Sequence, residues 1–289
     1  MGKPWQYWLG RIRSLPAIMR IRALRSAGRL VRYCCTLQAK SHLEKHGDCA
    51  VLIDSSVLFH AVSHETAWVS SGSAKWGNEV EVDTGYATRV PVHAEDCKAD
   101  VYSHIQFLPG IAQLARLGAL NLKTSAELKA EQLRQPIGRF QGYGYGDLNL
   151  FSGIEMKSVD GYQYDLGGAK KKQLDRVNAC NDPLFRQLIR VLGIKNSLDA
   201  YHIHTAERNG CYCFLHLDLK LNRLIEQHSN NPDWPKLRTK VLLPADLGAV
   251  LKLRPMSPRL LSFEEDTLSS RPDLFVPGQL RRRPNNKRK

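Results

Sequence analysis

Three aspartates stand where apolar runs give way to polar residues, the placement in which carboxylates can do shared chemistry. Asp54 closes the β-branched run 49–53 (CAVLI) and is followed by Ser55 and Ser56. Asp218 comes a few residues after a second such run, Tyr212-Cys213-Phe214-Leu215. Asp199 opens the helix-like segment DAYHIHTAER, which stops at Asn209-Gly210, because glycine tolerates the left-handed conformation of a C-terminal cap. A short apolar run bounded by polar residues reads as a buried strand. Each strand therefore delivers an acid to its C-terminal end, where open α/β sheets bind their ligands. The spacing predicts an α/β fold.

On these residues the chain resembles a known family. Asp54-Ser55-Ser56-Val57-Leu58 is similar to the opening of a PIN domain, a metal-dependent nuclease fold. Asp199-Ala200-Tyr201-His202-Ile203 with Thr205-Ala206, then Phe214-Leu215-His216-Leu217-Asp218, resembles that family's closing acidic segments. His216 stands where the family often has a small hydroxyl residue. The resemblance implies a three-layer α/β/α fold with a central, mostly parallel sheet, here carrying two insertions and basic N- and C-terminal extensions. It also implies a further acid on the helix after the second strand. Residues 120–125 read as that strand and its cap, and Glu131 lies at the expected distance; Glu127, one turn earlier on the same helix, competes for the role. The implied activity is a metal-dependent endoribonuclease that hydrolyses RNA phosphodiester bonds. The expected partners are RNA, mainly single-stranded, and an inhibitory protein such as the antitoxin of a toxin–antitoxin pair. A homodimer is a further assembly to test.

Carboxylates gathered at one edge repel one another unless a cation lies between them. Mg²⁺ or Mn²⁺ suits such a set, since hard divalent ions prefer oxygen ligands to the imidazoles and thiolates that zinc selects. The chemistry that follows is in-line attack of an activated water on a phosphodiester. Asp54 and Asp218 are the expected direct metal ligands. Asp199 and Glu131 complete the site directly or through bound water, and Ser55 orients a carboxylate or that water. The rival is zinc, because His202, His204, Cys211, Cys213 and His216 crowd into fifteen residues. Two helical residues two positions apart point to different sides, however, and the cysteine spacing is not that of a structural zinc site. The cysteines read as small buried hydrophobes. His202, one turn past Asp199, reads as a core or surface histidine, with an approach to the site and a phosphate contact as the alternative. Two other functions stay open. One is a catalytically weak or inactive PIN-like module that binds RNA or a protein; the other is an unrelated α/β protein whose acids never meet.

Composition bounds these readings. The chain has 289 residues, 43% hydrophobic and 24% charged, values typical of a globular protein. Its net charge of +14 is concentrated at the ends: residues 1–45 carry ten Lys/Arg against one acid, and residues 280–289 carry six against none. Basic ends suit a polyanion, with plainly solvated tails as the alternative. Seven cysteines, an odd number with no secretory signal before them, fit reduced thiols and a cytoplasmic location. No apolar run approaches the roughly 20 residues of a membrane-spanning helix.

The expected organisation has three parts: a basic helical extension or targeting segment (1–45), a PIN-like nuclease domain (46–250) and a Pro-rich basic tail (251–289). In the first, Pro16 and Gly28 should interrupt a basic helix. That segment reads as a helix docking on the domain or on RNA, as an organelle (for example mitochondrial) transit peptide, or as a membrane-surface helix presenting Trp5 and Trp8. Insertions are expected at about 65–100, a polar aperiodic stretch, and at 138–172. In the second, Phe140, Tyr143, Tyr145, Phe151, Tyr162 and Tyr164 alternate with glycines. They suit stacking on single-stranded bases, or packing beneath a Gly-rich loop. Lys170-Lys171-Lys172 reads as a phosphate contact or a solvated face. The terminal Arg281 to Lys289 reads as a polyanion-binding or an inert tail.

Overall fold

A computed structural model of the protein describes residues 5–47, 49–77, 79–93, 99–161, 168–229, 231–264 and 269–274. The chain opens with α1 (Trp5–His46), β1 (Ala50–Ile53) and α2 (Ser55–His60). A hairpin of β2 (Val62–Trp76) and β3 (Val80–Pro91) follows, then α3 (Ala99–Ile105), α4 (Leu108–Arg116), β4 (Asn121–Thr124), α5 (Ala126–Leu133) and α6 (Gly138–Gln141). The short strands β5 (Leu148–Asn149) and β6 (Lys157–Ser158) precede α7 (Ala169–Ala179), α8 (Pro183–Leu192) and α9 (Ser197–Arg208). Last come β7 (Cys213–Leu215), α10 (Leu219–His228), β8 (Lys240–Leu242) and α11 (Pro244–Leu251).

The protein is α/β, with a five-stranded central sheet in the order β6-β4-β1-β7-β8, every pairing parallel. Side chains of a strand alternate between faces, so each strand feeds two cores. Val51, Ile53, Cys213 and Leu215 face a layer built from α1, α4 and α11. Leu52 and Phe214 face the opposite layer, with Leu128 of α5, Leu188 of α8 and Ile203 of α9. Full burial of such a leucine or phenylalanine contributes about 1.5–3 kcal/mol. Helices thus cover both faces, which is consistent with a three-layer α/β/α arrangement. The connection from β1 runs to β4 on one side and that from β7 to β8 on the other. The carboxyl ends of β1 and β7 therefore flank the point where the strand order reverses, the crevice that binds ligands in such sheets.

Several expectations from the sequence are corrected here. α1 runs through Pro16 and Gly28 without a break. Losing one N–H does not end a helix flanked by good formers such as Leu15, Ala17 and Met19. Its second half is part of the main core through Cys35, Ala39 and Leu43. Two of its arginines hold it there: Arg25 Nε donates to the Phe263 carbonyl at 3.0 Å, and Arg32 forms a two-pronged ion pair with Glu264 at 2.9 and 2.5 Å. Gly28 sits at the crossing, where an added Cβ would lie 2.3 Å from the Leu260 carbonyl oxygen. Gly28→Ala is expected to cost about 1–3 kcal/mol by overpacking, and Ser26→Ala on the exposed side less than about 0.5 kcal/mol. Urea denaturation of the two variants checks this.

The expected tail is packed as far as Glu264. Met256 and Leu261 are 3% and 1% exposed, and the buried Arg89 of β3 donates to the carbonyls of Ser262 and Glu264. The backbone of Arg89 also pairs with Ser269 and Arg271. The first expected insertion is the long β2–β3 hairpin, with a register shift between Ser70 and Gly72. Its outer part is exposed on both sides, so no apolar alternation marked it in the sequence. The second expected insertion contains α6, β5, β6 and the start of α7, where Lys170, Lys171 and Lys172 are exposed. Tyr162, Tyr164, Cys97 and Arg281 to Lys289 lie outside the described residues. Among the described residues no helix is long and apolar enough to cross a membrane.

Candidate functional site

Asp54 leaves β1 and is clipped to the neighbouring strand, its N–H donating to the Leu215 carbonyl at 2.9 Å. It also caps α2: Asp54 Oδ2 accepts from the Ser56 N–H at 3.0 Å and from the Ser56 hydroxyl. The same hydroxyl accepts from the Leu217 N–H at 2.9 Å, so Ser56 ties the ends of β1 and β7 together around the carboxylate. Ser125 starts α5 by accepting from the Leu128 N–H at 3.3 Å, and this helix carries Glu131. Asp199 lies in the first turn of α9. Asp218 caps α10, accepting from the N–H groups of Lys220 at 2.8 Å and Leu221 at 3.3 Å.

Asp54, Glu131 and His202 place ligand atoms within 4.8 Å of one another, close enough to share one metal ion. The Ser55 hydroxyl donates to Glu131 Oε2 at 2.9 Å, while Glu131 Oε1 lies 2.8 Å from His202 Nε2. His202 is 1% exposed and packs against the Phe214 ring at a centroid distance of 5.9 Å. Burial alone would lower its pKa, but the charge and hydrogen bond of Glu131, with Asp54 and Asp199, push it up to about 9. The imidazole is therefore cationic at neutral pH and acts as the counter-ion of Glu131. Burial also opposes ionisation of Glu131, yet His202 and Ser55 hold its carboxyl below the usual range.

One imidazolium does not neutralise the remaining acids. Burial pushes the Asp54 carboxyl up and Glu131 adds to the rise, against the opposing pull of His202 and Ser56. Asp199 is pushed up to about 6 by burial and by the fields of Asp54, Asp218 and Glu131, although His202 pulls the other way. Oxygen donors that resist ionisation because they crowd one another are a set that a hard divalent ion would relieve. The donor chemistry thus fits such an ion.

The fold brings Asp54 and Glu131 into direct proximity, puts Asp199 within reach of their fields, and leaves Asp218 exposed at the rim of the same edge. Glu127 goes elsewhere. It is fully buried, with Oε1 3.1 Å from Arg176 Nη1, and Arg176 also lies 3.6 Å from Asp160. Glu131→Gln is expected to weaken Mn²⁺ binding by at least about tenfold. Glu127→Gln should leave that affinity unchanged and instead lower stability by about 3–5 kcal/mol, the cost of breaking a buried pair. Calorimetric Mn²⁺ titration beside a denaturation curve separates the two.

Sequence reasoning passed over Ser56 and set His202 aside; the one signal for His202 was its place one turn beyond Asp199. The rival zinc residues disperse. His204 lies 3.3 Å from Asp182 and beside Phe185, and Cys211 and Cys213 are buried in the two cores. His216 is buried and stacked on Phe214, with burial lowering its pKa to about 4. No family model matches the chain, no curated protein matches its sequence, and no solved structure matches its fold.

Proposed function

We propose that the protein is a PIN-like, metal-dependent ribonuclease that hydrolyses phosphodiester bonds of single-stranded RNA. The observation that carries this is the meeting of Asp54 with Glu131, inside the field of Asp199 and Asp218, at the point where the strand order reverses. Asp54 and Glu131 would hold Mg²⁺ or Mn²⁺, with Asp199 and Asp218 completing the shell directly or through water. When bound, the ion supplies a Lewis acid for the phosphoryl oxygens and lowers the pKa of the attacking water.

The residues of the chain do the rest. Ser56 and the start of α2 keep Asp54 aimed at the crevice, and Ser55 orients Glu131. His202 compensates the charge of Glu131 and so keeps the carboxylates together. Asp199, pushed up to about 6 in the ion-free site by burial and by its neighbouring acids, would be held ionised by the bound cation and add to its shell. The basic ends of the chain suit a polyanionic substrate.

A second reading is supported by the same contacts: both Glu131 oxygens are engaged within the protein, by Ser55 and by His202. It makes the chain a catalytically weak or inactive PIN-like module that binds RNA. The experiment is incubation of a labelled single-stranded RNA with Mn²⁺ or Mg²⁺ against EDTA. Cleavage that requires the ion supports the nuclease. Salt-sensitive binding without cleavage selects the module.

A further inference from the structure

Beside the acids opens a cleft of about 390 Å³, bounded by α2, α5 and α6 and lined by Ser55, Glu131, Arg134, Arg139, Phe59 and Phe140. The lining thus combines carboxylate and hydroxyl groups with cationic and aromatic ones. A polyanion approaching four acids is repelled unless cations lie along its path. Arg134, exposed at the end of α5, and Arg139 of α6 lie beside Glu131 in this cleft.

Arg139 is held ready. Its guanidinium lies over the Phe59 ring, 4.7 Å from the centroid, and Nη1 donates to Gln135 Oε1 at 2.5 Å. The planar group has five N–H donors, so this one bond leaves donors for a phosphate. α6 itself is anchored by Asn149 Nδ2, which donates to the Phe140 carbonyl at 2.5 Å.

An aromatic face lies just outside the cleft, at the start of α6. The Tyr143 ring lies over Gly138, where an added Cβ would come within 2.3 Å of it, yet Tyr143 is 61% exposed. Its loop is fixed by Asp147, which accepts from the N–H groups of Tyr143 at 2.7 Å, Gly144 at 3.1 Å and Thr66 at 2.6 Å. A solvent-facing ring packed on Gly138, the residue before Arg139, with two arginines in the adjoining cleft combines the two means by which proteins hold single strands: charge along the backbone and a stacking face for a base.

We propose that this cleft is a strand-binding subsite for single-stranded nucleic acid, with Arg134 and Arg139 on phosphates next to the scissile bond and Tyr143 stacked on a neighbouring base. The placement next to the scissile bond rests on the nuclease reading of the adjoining acids; the binding chemistry does not. A stacking face takes an unpaired base, so the subsite favours a single strand over a duplex, whose bases are already stacked. Phosphates and base faces are common to RNA and DNA, so the contacts act on either sugar.

The test is fluorescence anisotropy in the Asp54→Asn background, which keeps oligonucleotides intact. Labelled single-stranded RNA, single-stranded DNA and duplex RNA are titrated over a range of salt. Arg134→Gln with Arg139→Gln is expected to weaken single-strand binding about tenfold and to reduce the magnitude of the log K against log[salt] slope by about 1.4, for two lost phosphate contacts. Tyr143→Ala should weaken it about tenfold with no change of slope. Both effects should appear on RNA and DNA, and the duplex should bind at least about tenfold more weakly than the single strand. Unchanged affinity and slope in the arginine variant, or equal duplex binding, overturns the subsite, even where the wild-type protein cleaves RNA. If wild type fails to cleave but the substitutions act as expected, the nuclease reading falls and the strand-binding surface stands.

Discussion

Asp54→Asn should reduce ion-dependent RNA cleavage by more than about a hundredfold, the upper range for losing an outer-shell partner of a metal ligand, while the fold survives. Asparagine caps a helix as well as aspartate does, so the bond from the Ser56 N–H and the start of α2 are retained. The change is almost purely electrostatic. It removes the one charged oxygen set that issues directly from β1, next to Glu131 and His202. In the metal-free protein the same substitution should be neutral or stabilising, because burial and Glu131 already oppose ionisation of Asp54. Measurement of cleavage rates in Mn²⁺ together with melting curves in EDTA gives both halves. Wild-type rates in the variant would sink the assignment of Asp54, and a variant that fails to fold would sink the account of its cap.

The second large effect is expected at His202. His202→Ala removes the cation that neutralises Glu131 in a site where the imidazole is 1% exposed, and breaking such a buried pair costs about 3–5 kcal/mol. The pH dependence has a definite sign. His202 is held at about 9, above its ordinary 6.5, so its stabilising contribution is complete below 6.5 and is lost as pH rises through about 9. Asp199, raised from 3.8 to about 6, acts in the same direction: its contribution is complete below 3.8 and is lost as pH rises through about 6. His64 and His216, which burial lowers to about 3 and about 4, act the opposite way and add stability as pH rises from those values through 6.5, so the acid side carries opposing contributions. Metal-free wild type should therefore lose stability on the alkaline side, as pH rises from about 6.5 through about 9. His202→Ala should flatten that loss. Added Mn²⁺ should stabilise the wild type more at pH 8 than at pH 5, because the ion competes with protons for the same oxygens. Urea midpoints across that range, with EDTA and with Mn²⁺, test all three statements. A wild-type profile in EDTA that keeps rising between about pH 6.5 and 9 would contradict them.

Much of this arrangement was legible without the structure because it depends on signals that act within a few residues. Strand β1 ends where an apolar run meets Asp54, α5 begins at the hydroxyl of Ser125, and α9 stops at Gly210, whose φ is +63°. Pro183 opens α8 and Gly193 closes it, again by backbone chemistry within one turn. Such caps and stops placed Asp54, Asp199 and Asp218 correctly at element ends.

What the local signals did not determine is which side chains meet across elements. Glu127 and Glu131 stand one turn apart on α5, with equally good claims in the sequence; the packing of α7 and α9 separated them, giving Arg176 to the first and His202 to the second. The β2–β3 hairpin escaped notice because cross-strand pairing holds it, with no buried face along its outer half. Residues 255–264 looked like a tail because their proline and acid content matters less than the partners they meet, Arg25 and Arg32 of α1 and Arg89 of β3. Residue types and local backbone preferences thus set the elements and the acids at their ends. The assembly of the layers alone chose the counter-ion, the glutamate that meets Asp54 and the arginine-lined cleft, because those depend on contacts between residues far apart in the chain, with Glu131 and His202 separated by 71 positions.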